Sequence, residues 1–163
     1  MAAHQNNLWE SCSLIVEELN VTRELLLAGA DPNTRGGRDN STCLMEAIKG
    51  NHQAVVDLLL AQPSIEVNAK DNFDHTALHF ACRTGTRNIA ILSKLLAVPG
   101  ILVNERDSYG WTPIMDALTV ITYGKTVSFR PVRVMAAVED VDLDVNGRSL
   151  EDFVRGRAKY DQC

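Results

Sequence analysis

Apolar residues recur along this chain at helical spacing, in pairs of short segments. In one segment, Leu78, Ala81 and Cys82 stand at positions i, i+3 and i+4, the spacing of one face of an α-helix. A second, more apolar segment follows after a short turn, as at 55–60. Asn51 lies in such a turn, and asparagine tolerates the left-handed conformation that ends many helices. The pattern predicts pairs of short helices.

The paired segments belong to a repeat. Similar hexapeptides begin at Thr42, Thr76 and Thr112 and read TCLMEA, TALHFA and TPIMDA. Their spacing of roughly 35 residues is typical of a stacked solenoid. Each Thr is suited to cap a helix, because its hydroxyl can accept a hydrogen bond from an unpaired backbone N–H. Pro113 then stands at the first helical position, where a missing N–H costs nothing.

Three stretches resemble the ankyrin repeat family: GADPN at 29–33, TALHFA at 76–81 and DSYGWTP at 107–113. The resemblance covers about residues 6 to 158. It implies an all-α fold, a solenoid of helix–turn–helix repeats with projecting β-hairpin loops. We expect one domain spanning 1–163, with a cap at 147–158 and repeats at approximately 6–33, 34–68, 69–104 and 105–146.

Two segments depart from the repeat. The fourth unit is lengthened within TYGKTVSFRPVR, 122–133, and we predict a protruding loop there that ends at Pro131. Such an insertion is either tolerated or functional. In the third unit, extra residues precede the second helix, so that helix begins earlier or the turn is longer. In the tail, Ser149 can cap a last helix with acidic residues near its start and basic residues near its end. A basic partner-binding tail is the alternative.

Composition narrows the function. The net charge is −5, which argues against nucleic-acid binding through clustered basic residues. Neither an uninterrupted apolar run long enough to cross a membrane nor a secretory signal is visible in the sequence. The cysteines, which are Cys12, Cys43, Cys82 and Cys163, show no paired metal-binding spacing. We interpret Cys43 and Cys82 as small core residues of a reduced protein, and expect a cytoplasmic or nuclear location.

The stretch DNFDHTALHFA raises the question of chemistry, because His79 lies near several polar residues. Met45 and Met115 hold its place in the neighbouring repeats, which a packing position explains and a catalytic site does not. The resemblance implies a structural histidine that hydrogen-bonds near the helix N-terminus. Asp71 and Asp107 are interpreted as turn formers. We expect no enzymatic activity, no metal site and no cofactor.

The resemblance implies a protein-binding module that uses its concave face and hairpin loops. Exposed aromatic residues in such places are frequent energetic anchors of interfaces. The alternative is that they pack against the neighbouring hairpin. The predicted partner-binding residues are Glu46, Lys49, Phe73, Asp74, Phe80, Arg83, Tyr109, Trp111 and Asp116. Those on the first helices, including Phe80 and Asp116, are expected to be exposed. The acids among them favour a partner segment that carries Arg or Lys.

Two further expectations concern assembly and modification. We expect a monomer that binds a protein or peptide; the alternative is a stoichiometric inhibitor or regulatory subunit of an enzyme such as a protein kinase. Asn68 follows Leu60 and Glu66 in a pattern that resembles the substrates of an oxygen-dependent asparaginyl hydroxylase. A purely structural asparagine that hydrogen-bonds its loop is the other interpretation.

Overall fold

The structure is a computed structural model, and it describes residues 19–84, 88–123, 130–138, 141–142, 144–145 and 148–149. Within these residues the chain forms seven helices: α1 (Leu19–Leu27), α2 (Cys43–Lys49), α3 (Gln53–Leu60), α4 (Ala77–Arg83), α5 (Ile89–Leu96), α6 (Pro113–Tyr123) and α7 (Arg130–Ala136).

Two short antiparallel hairpins complete the described elements. Strand β1 (Arg35–Gly36) pairs with β2 (Ser41–Thr42), and β3 (Asp144–Val145) pairs with β4 (Arg148–Ser149). Each strand has two residues, so the fold is all-α, a solenoid with projecting hairpins, as the sequence predicted.

The helices stack in two rows. The first helices of successive repeats, α2, α4 and α6, pack on one another, while α1, α3, α5 and α7 form the second row. Each first helix also packs on the second helix of its own repeat. Leu78, Ala81 and Cys82 are fully buried between neighbours, which confirms the predicted apolar face. Burial of one such leucine contributes about 1.5–3 kcal/mol, so the stack is stabilised mainly between repeats.

The helix boundaries follow local chemistry. The Thr42 hydroxyl accepts a hydrogen bond from the N–H of Met45 at 3.3 Å, as expected of a cap. The same expectation is wrong for Thr112, whose Oγ1 has no hydrogen-bond partner among the described residues. Asn51 adopts a positive φ of 58°, which confirms the predicted left-handed turn residue. Residues 50–52 separate α2 from α3, whereas residues 84–88 separate α4 from α5. Of the two predicted alternatives, an earlier start of α5 is therefore wrong, and residues 85–87 lie outside the described residues.

The predicted loop at 122–133 is wrong at both ends. Helix α6 continues to Tyr123, and α7 begins at Arg130 with Pro131 as its second residue. Proline is tolerated there because the first turn of a helix leaves its N–H groups without intrahelical partners. Residues 124–129 lie outside the described residues. So do the first helix of the first repeat and the capping helix expected after Ser149.

Candidate partner-binding site

Two turns, at 71–75 and 107–111, occupy the hairpin positions of the third and fourth repeats, and an aspartate shapes each of them. Asp71 Oδ1 accepts hydrogen bonds from the N–H groups of Phe73 and His75, both at 2.9 Å. Asp107 Oδ1 accepts from the N–H groups of Tyr109 at 2.9 Å and Trp111 at 2.8 Å. Both carboxylates hold tight turns, which confirms that they are turn formers.

The hairpins are also joined to each other through the backbone. The N–H of Asn72 donates to Asp39 O, and the N–H of Ser108 donates to Phe73 O, each at 2.9 Å. The hairpins of the second, third and fourth repeats therefore form a continuous row of fingers.

Three aromatic residues on these fingers are open to solvent. Phe73 is 40% exposed, Trp111 is 40% exposed and Tyr109 is 71% exposed. Tyr109 is therefore not covered by a neighbouring hairpin, which was the alternative for this residue. An exposed aromatic ring on a rigid turn offers a large contact area at little cost in side-chain entropy.

A recess of about 360 Å³ lies between the fingers and the first helices. Its lining comes from three repeats: Asp39, Lys49, Asp71, Phe73, His75, Phe80, Arg83 and Tyr109. Five of the predicted partner-binding residues are thus brought together there, namely Lys49, Phe73, Phe80, Arg83 and Tyr109. Asp74 and Trp111 are exposed on the fingers but do not line the recess.

Phe80 was expected to be exposed, and this is wrong: it is only 8% exposed. The Lys49 ammonium lies 4.4 Å from the centre of its ring and the Arg83 guanidinium 5.9 Å. The ring of His75 packs at 5.4 Å between centroids. Cations over an aromatic face are attracted by its quadrupole, so these long side chains cover the ring. Phe80 contributes to the lining of the recess from this largely buried position.

Asp116 was also expected to be exposed, and it is 2% exposed. Arg83 covers it and donates from Nη2 to both carboxylate oxygens at 3.0 and 3.2 Å, across the boundary between repeats. Burial raises the pKa of the Asp116 carboxyl, while the Arg83 charge and hydrogen bonds oppose that shift. Glu46 makes a comparable but more open pair with Lys49 at 2.8 Å.

His79 has the capping role that the resemblance implied. The N–H of Thr76 donates to His79 Nδ1 at 3.0 Å, so Nδ1 carries no proton and Nε2 does. Nε2 then donates to the carbonyl of Trp111 at 3.1 Å, in the next hairpin. Burial lowers the pKa of His79, which favours this neutral form.

His75 lines the recess but is absent from the predicted partner-binding residues. It is buried, with Nδ1 at 3.2 Å from Asp71 Oδ2 and Nε2 at 3.4 Å from Asp107 Oδ2. Nε2 also lies 3.1 Å from Arg83 Nη2. The sequence contains one indication of its position, since His75 directly precedes the capping Thr76 and lies four residues after Asp71. Nothing in the sequence indicated that His75 contacts Asp107 of the next repeat.

Asn68 ties its own loop to the next one. Its side-chain amide donates to Gly100 O at 2.8 Å, and its Oδ1 accepts from the N–H of Leu102 at 2.9 Å. The structural interpretation is confirmed. Hydroxylation of Asn68 remains a prediction, and mass spectrometry after incubation with the hydroxylase, showing no gain of one oxygen on the peptide containing Asn68, would contradict it.

Among the residues that the structure describes, no three His, Cys, Asp or Glu side chains are grouped so as to hold a metal ion. Cys43 and Cys82 are fully buried, and burial raises the pKa of the Cys82 thiol, which makes it unreactive. In the described part of the chain, no helix has both the length and the apolar character required to cross a membrane.

The stacked helix pairs and the row of hairpin fingers define a repeat solenoid of the protein-binding class. A family model for ankyrin repeats, in three copies, matches residues 2–97, and the chain belongs to this family. Ankyrin repeats are generally protein–protein interaction modules and are generally non-catalytic.

A curated relative from Caenorhabditis elegans is similar in part. It is the ankyrin repeat and KH domain-containing protein mask-1, which is 42% identical over 73 residues. The match covers 44% of this chain but 3% of that protein. The chain thus corresponds to a small part of this relative's length.

Proposed function

We propose that the protein binds a basic peptide segment of a partner protein in the recess between its fingers and first helices. The observation that carries the proposal is a recess lined by aromatic rings and carboxylates, in which both cations are already paired with an acid. The exposed rings of Phe73 and Tyr109 stand at the finger tips, and Phe80 lies deeper in the lining.

The charge distribution supports a basic partner. The cations of the recess, Lys49 and Arg83, are each paired with an acid. Asp39 and Asp71 line the recess, and three further carboxylates lie beside its lining residues, on Glu46, Asp107 and Asp116. Asp74 adds an exposed acid at a finger tip. Complementary potential chiefly raises the association rate and the specificity, so a partner lysine or arginine is steered here.

The exposed aromatic rings supply the second element of recognition. A lysine or arginine side chain placed over Phe73 or Tyr109 gains a cation–π interaction of about 0.5–1 kcal/mol at an exposed site. The recess volume of about 360 Å³ is at the small end of the range for binding pockets. We infer that one or two partner side chains enter the recess while flanking residues run along the fingers.

Selection from a displayed library of random dodecapeptides at pH 7.5 tests the proposal. We expect recovered sequences to be enriched in Lys and Arg, and their binding to fall at least about tenfold in Phe73→Ala/Tyr109→Ala. Because both rings are exposed, this variant retains the core, which a Phe80 substitution would not.

The control is Leu27→Ala/Leu102→Ala, which removes two exposed side chains outside the recess lining. It should bind the recovered peptides as tightly as the unchanged protein does. Peptides bound equally by both double variants would place the site elsewhere. Acidic or charge-neutral consensus sequences would reject the basic partner while leaving the recess as the site.

We propose further that the protein acts as a monomer in the cytoplasm or nucleus and that nucleic acid is not its partner. The net charge of −5 and the buried, reduced cysteines Cys43 and Cys82 support these statements. Sedimentation as a single species and the absence of binding to mixed RNA at physiological salt are the expected results.

A further inference from the structure

His75 lies where two repeats and the recess meet. Its ring is buried yet contributes to the recess lining, and three charged side chains contact it. Asp71 belongs to its own hairpin, Asp107 to the next hairpin and Arg83 to the end of α4. Few other residues of the described chain combine a titratable ring with contacts to three charged groups.

The contacts of the two ring nitrogens with Asp71 and Arg83 fit a neutral ring. A carboxylate only accepts hydrogen bonds, so the Nδ1 of His75 carries a proton toward Asp71 Oδ2. A guanidinium only donates, so Nε2 accepts from Arg83 Nη2 and carries no proton. The same Nε2 also lies 3.4 Å from Asp107 Oδ2.

A second proton on the ring would change these contacts. Nε2–H can no longer accept from Arg83, and two positive groups 3.1 Å apart repel. Asp107 is already close enough to receive the new N–H. Histidine as a class changes charge between about pH 5 and 8. We propose that His75 is a pH-sensitive latch that exchanges Arg83 for Asp107 when it is protonated.

The surrounding charges favour that exchange. Arg83 stays anchored by its pair with Asp116, so it can turn away from His75 without leaving the repeat boundary. The neutral His79 ring lies 5.9 Å away and adds no charge. The charged or titratable groups that face His75 from the packed elements are Asp71 of its hairpin, His79 and Arg83 of α4, Asp107, Asp116 and, across the recess, Asp39 and Lys49.

The latch has a consequence for binding, which rests on the proposed function. Protonation adds a positive charge to the lining and turns an Arg83 N–H toward the recess. Both changes weaken the attraction for a lysine or arginine of the partner. We expect the affinity for basic peptides to fall by about threefold to tenfold between pH 7.5 and pH 5.5. By linkage, a bound basic peptide holds His75 neutral.

Nuclear magnetic resonance tests the latch without a partner. The ring signals of His75 and the Nε–H signal of Arg83 are followed from pH 8 to pH 5. We expect both to move with the same midpoint, because one proton drives both changes. In His75→Gln, the Arg83 signal should stay constant. In Asp107→Asn, which keeps the oxygen that holds the hairpin turn, the midpoint should fall to a lower pH.

The matched control is His52→Gln, which removes a histidine from the turn between α2 and α3. It should leave the Arg83 titration unchanged. An Arg83 signal that does not respond while His75 titrates would overturn the latch. So would a neutral His75 in folded protein at pH 5, or the same Arg83 titration in His75→Gln.

Binding provides a separate readout. The probe is a Lys- or Arg-rich dodecapeptide recovered by the selection at pH 7.5, and its affinity is measured at both pH values. His75→Gln should abolish most of the pH dependence, and His52→Gln should retain it. If the selection yields no basic peptide, the proposed function fails, while the resonance titration still decides the latch.

Discussion

In the second and third repeats a threonine stands at the N-cap of the first helix, Thr42 and Thr76 respectively, but the side chain that it contacts differs. In the second, the N–H of Thr42 donates weakly to Met45 Sδ at 3.4 Å, and the methionine makes no polar contact with the next hairpin. In the third, His79 accepts from Thr76 and donates onward to Trp111 O. The third residue of the first helix therefore stabilises either its own helix start, as Met45 does, or its own helix start and the next repeat, as His79 does.

The difference teaches that coupling between repeats is not uniform along the stack. The fourth repeat extends the point, because Thr112 Oγ1 is buried without a hydrogen-bond partner among the described residues. Met115 stands in that repeat where the third has His79. His79 thus adds a side-chain link from the third repeat to the fourth that Met45 and Met115, whose thioethers have no N–H to donate, cannot provide.

The largest expected effect comes from replacing the two capping partners by the same residue. His79→Leu removes the acceptor for Thr76 and the donor to Trp111 and should lower the free energy of unfolding by about 3 kcal/mol. Met45→Leu nearly conserves volume and should cost less than about 1.5 kcal/mol. Urea unfolding of both variants measures the difference; equal losses would contradict the comparison.

A second variant probes the charge link across the same boundary. Arg83→Met leaves Asp116 buried without its cation and should cost about 1–2 kcal/mol, less than for a fully buried pair because Arg83 is partly exposed. Adding Asp116→Asn should restore part of the loss. A double variant no more stable than Arg83→Met alone would show that Asp116 is not held by this pair.

The far end of the stack should open first. In α7, the buried residues are Pro131, Val132 and Met135, whereas α3 lies between helices of two neighbouring repeats. We expect amide hydrogens of α7 to exchange at least about tenfold faster than those of α3. Equal protection in native-state hydrogen exchange would contradict this prediction.

The smallest effect is a dependence of stability on pH. Burial lowers the pKa of His79 below its ordinary value of 6.5, so the unfolded chain binds the proton first. This contribution to stability is complete above pH 6.5 and is lost as the pH falls through the folded pKa. The difference in unfolding free energy between the protein and His79→Leu should therefore shrink in acid.

The contribution of Asp116 to the free energy of unfolding depends on pH in the opposite direction. Because burial raises its pKa above 3.8, its contribution is complete below that pH and is lost as the pH rises through the folded pKa. Asp116→Asn should remove this slope. A stability difference between Asp116→Asn and the unchanged protein that does not vary with pH would contradict the sign.

The helix faces, the Thr42 cap and the hairpin aspartates could be predicted because each depends on residues close in sequence. Phe80 and Asp116 could not, because their burial depends on side chains of adjacent repeats. Lys49 covers Phe80 from the preceding repeat, and Arg83 covers Asp116 from the preceding repeat. An exposed position in one isolated repeat is thus covered only after stacking. His75 was missed for the same reason.

The asparagine links have a consequence for chain length. Asn33 and Asn68 each bind the loop of the following repeat through both amide atoms, and Asn104 Oδ1 accepts from the N–H of Asp142 at 2.8 Å. These links persist although the segments between the paired helices differ in length. The register of the stack is thus set across loops, independently of how many residues join the two helices. The inter-helix turns are therefore the positions where a tag or sensor sequence can be inserted while the fingers keep their spacing.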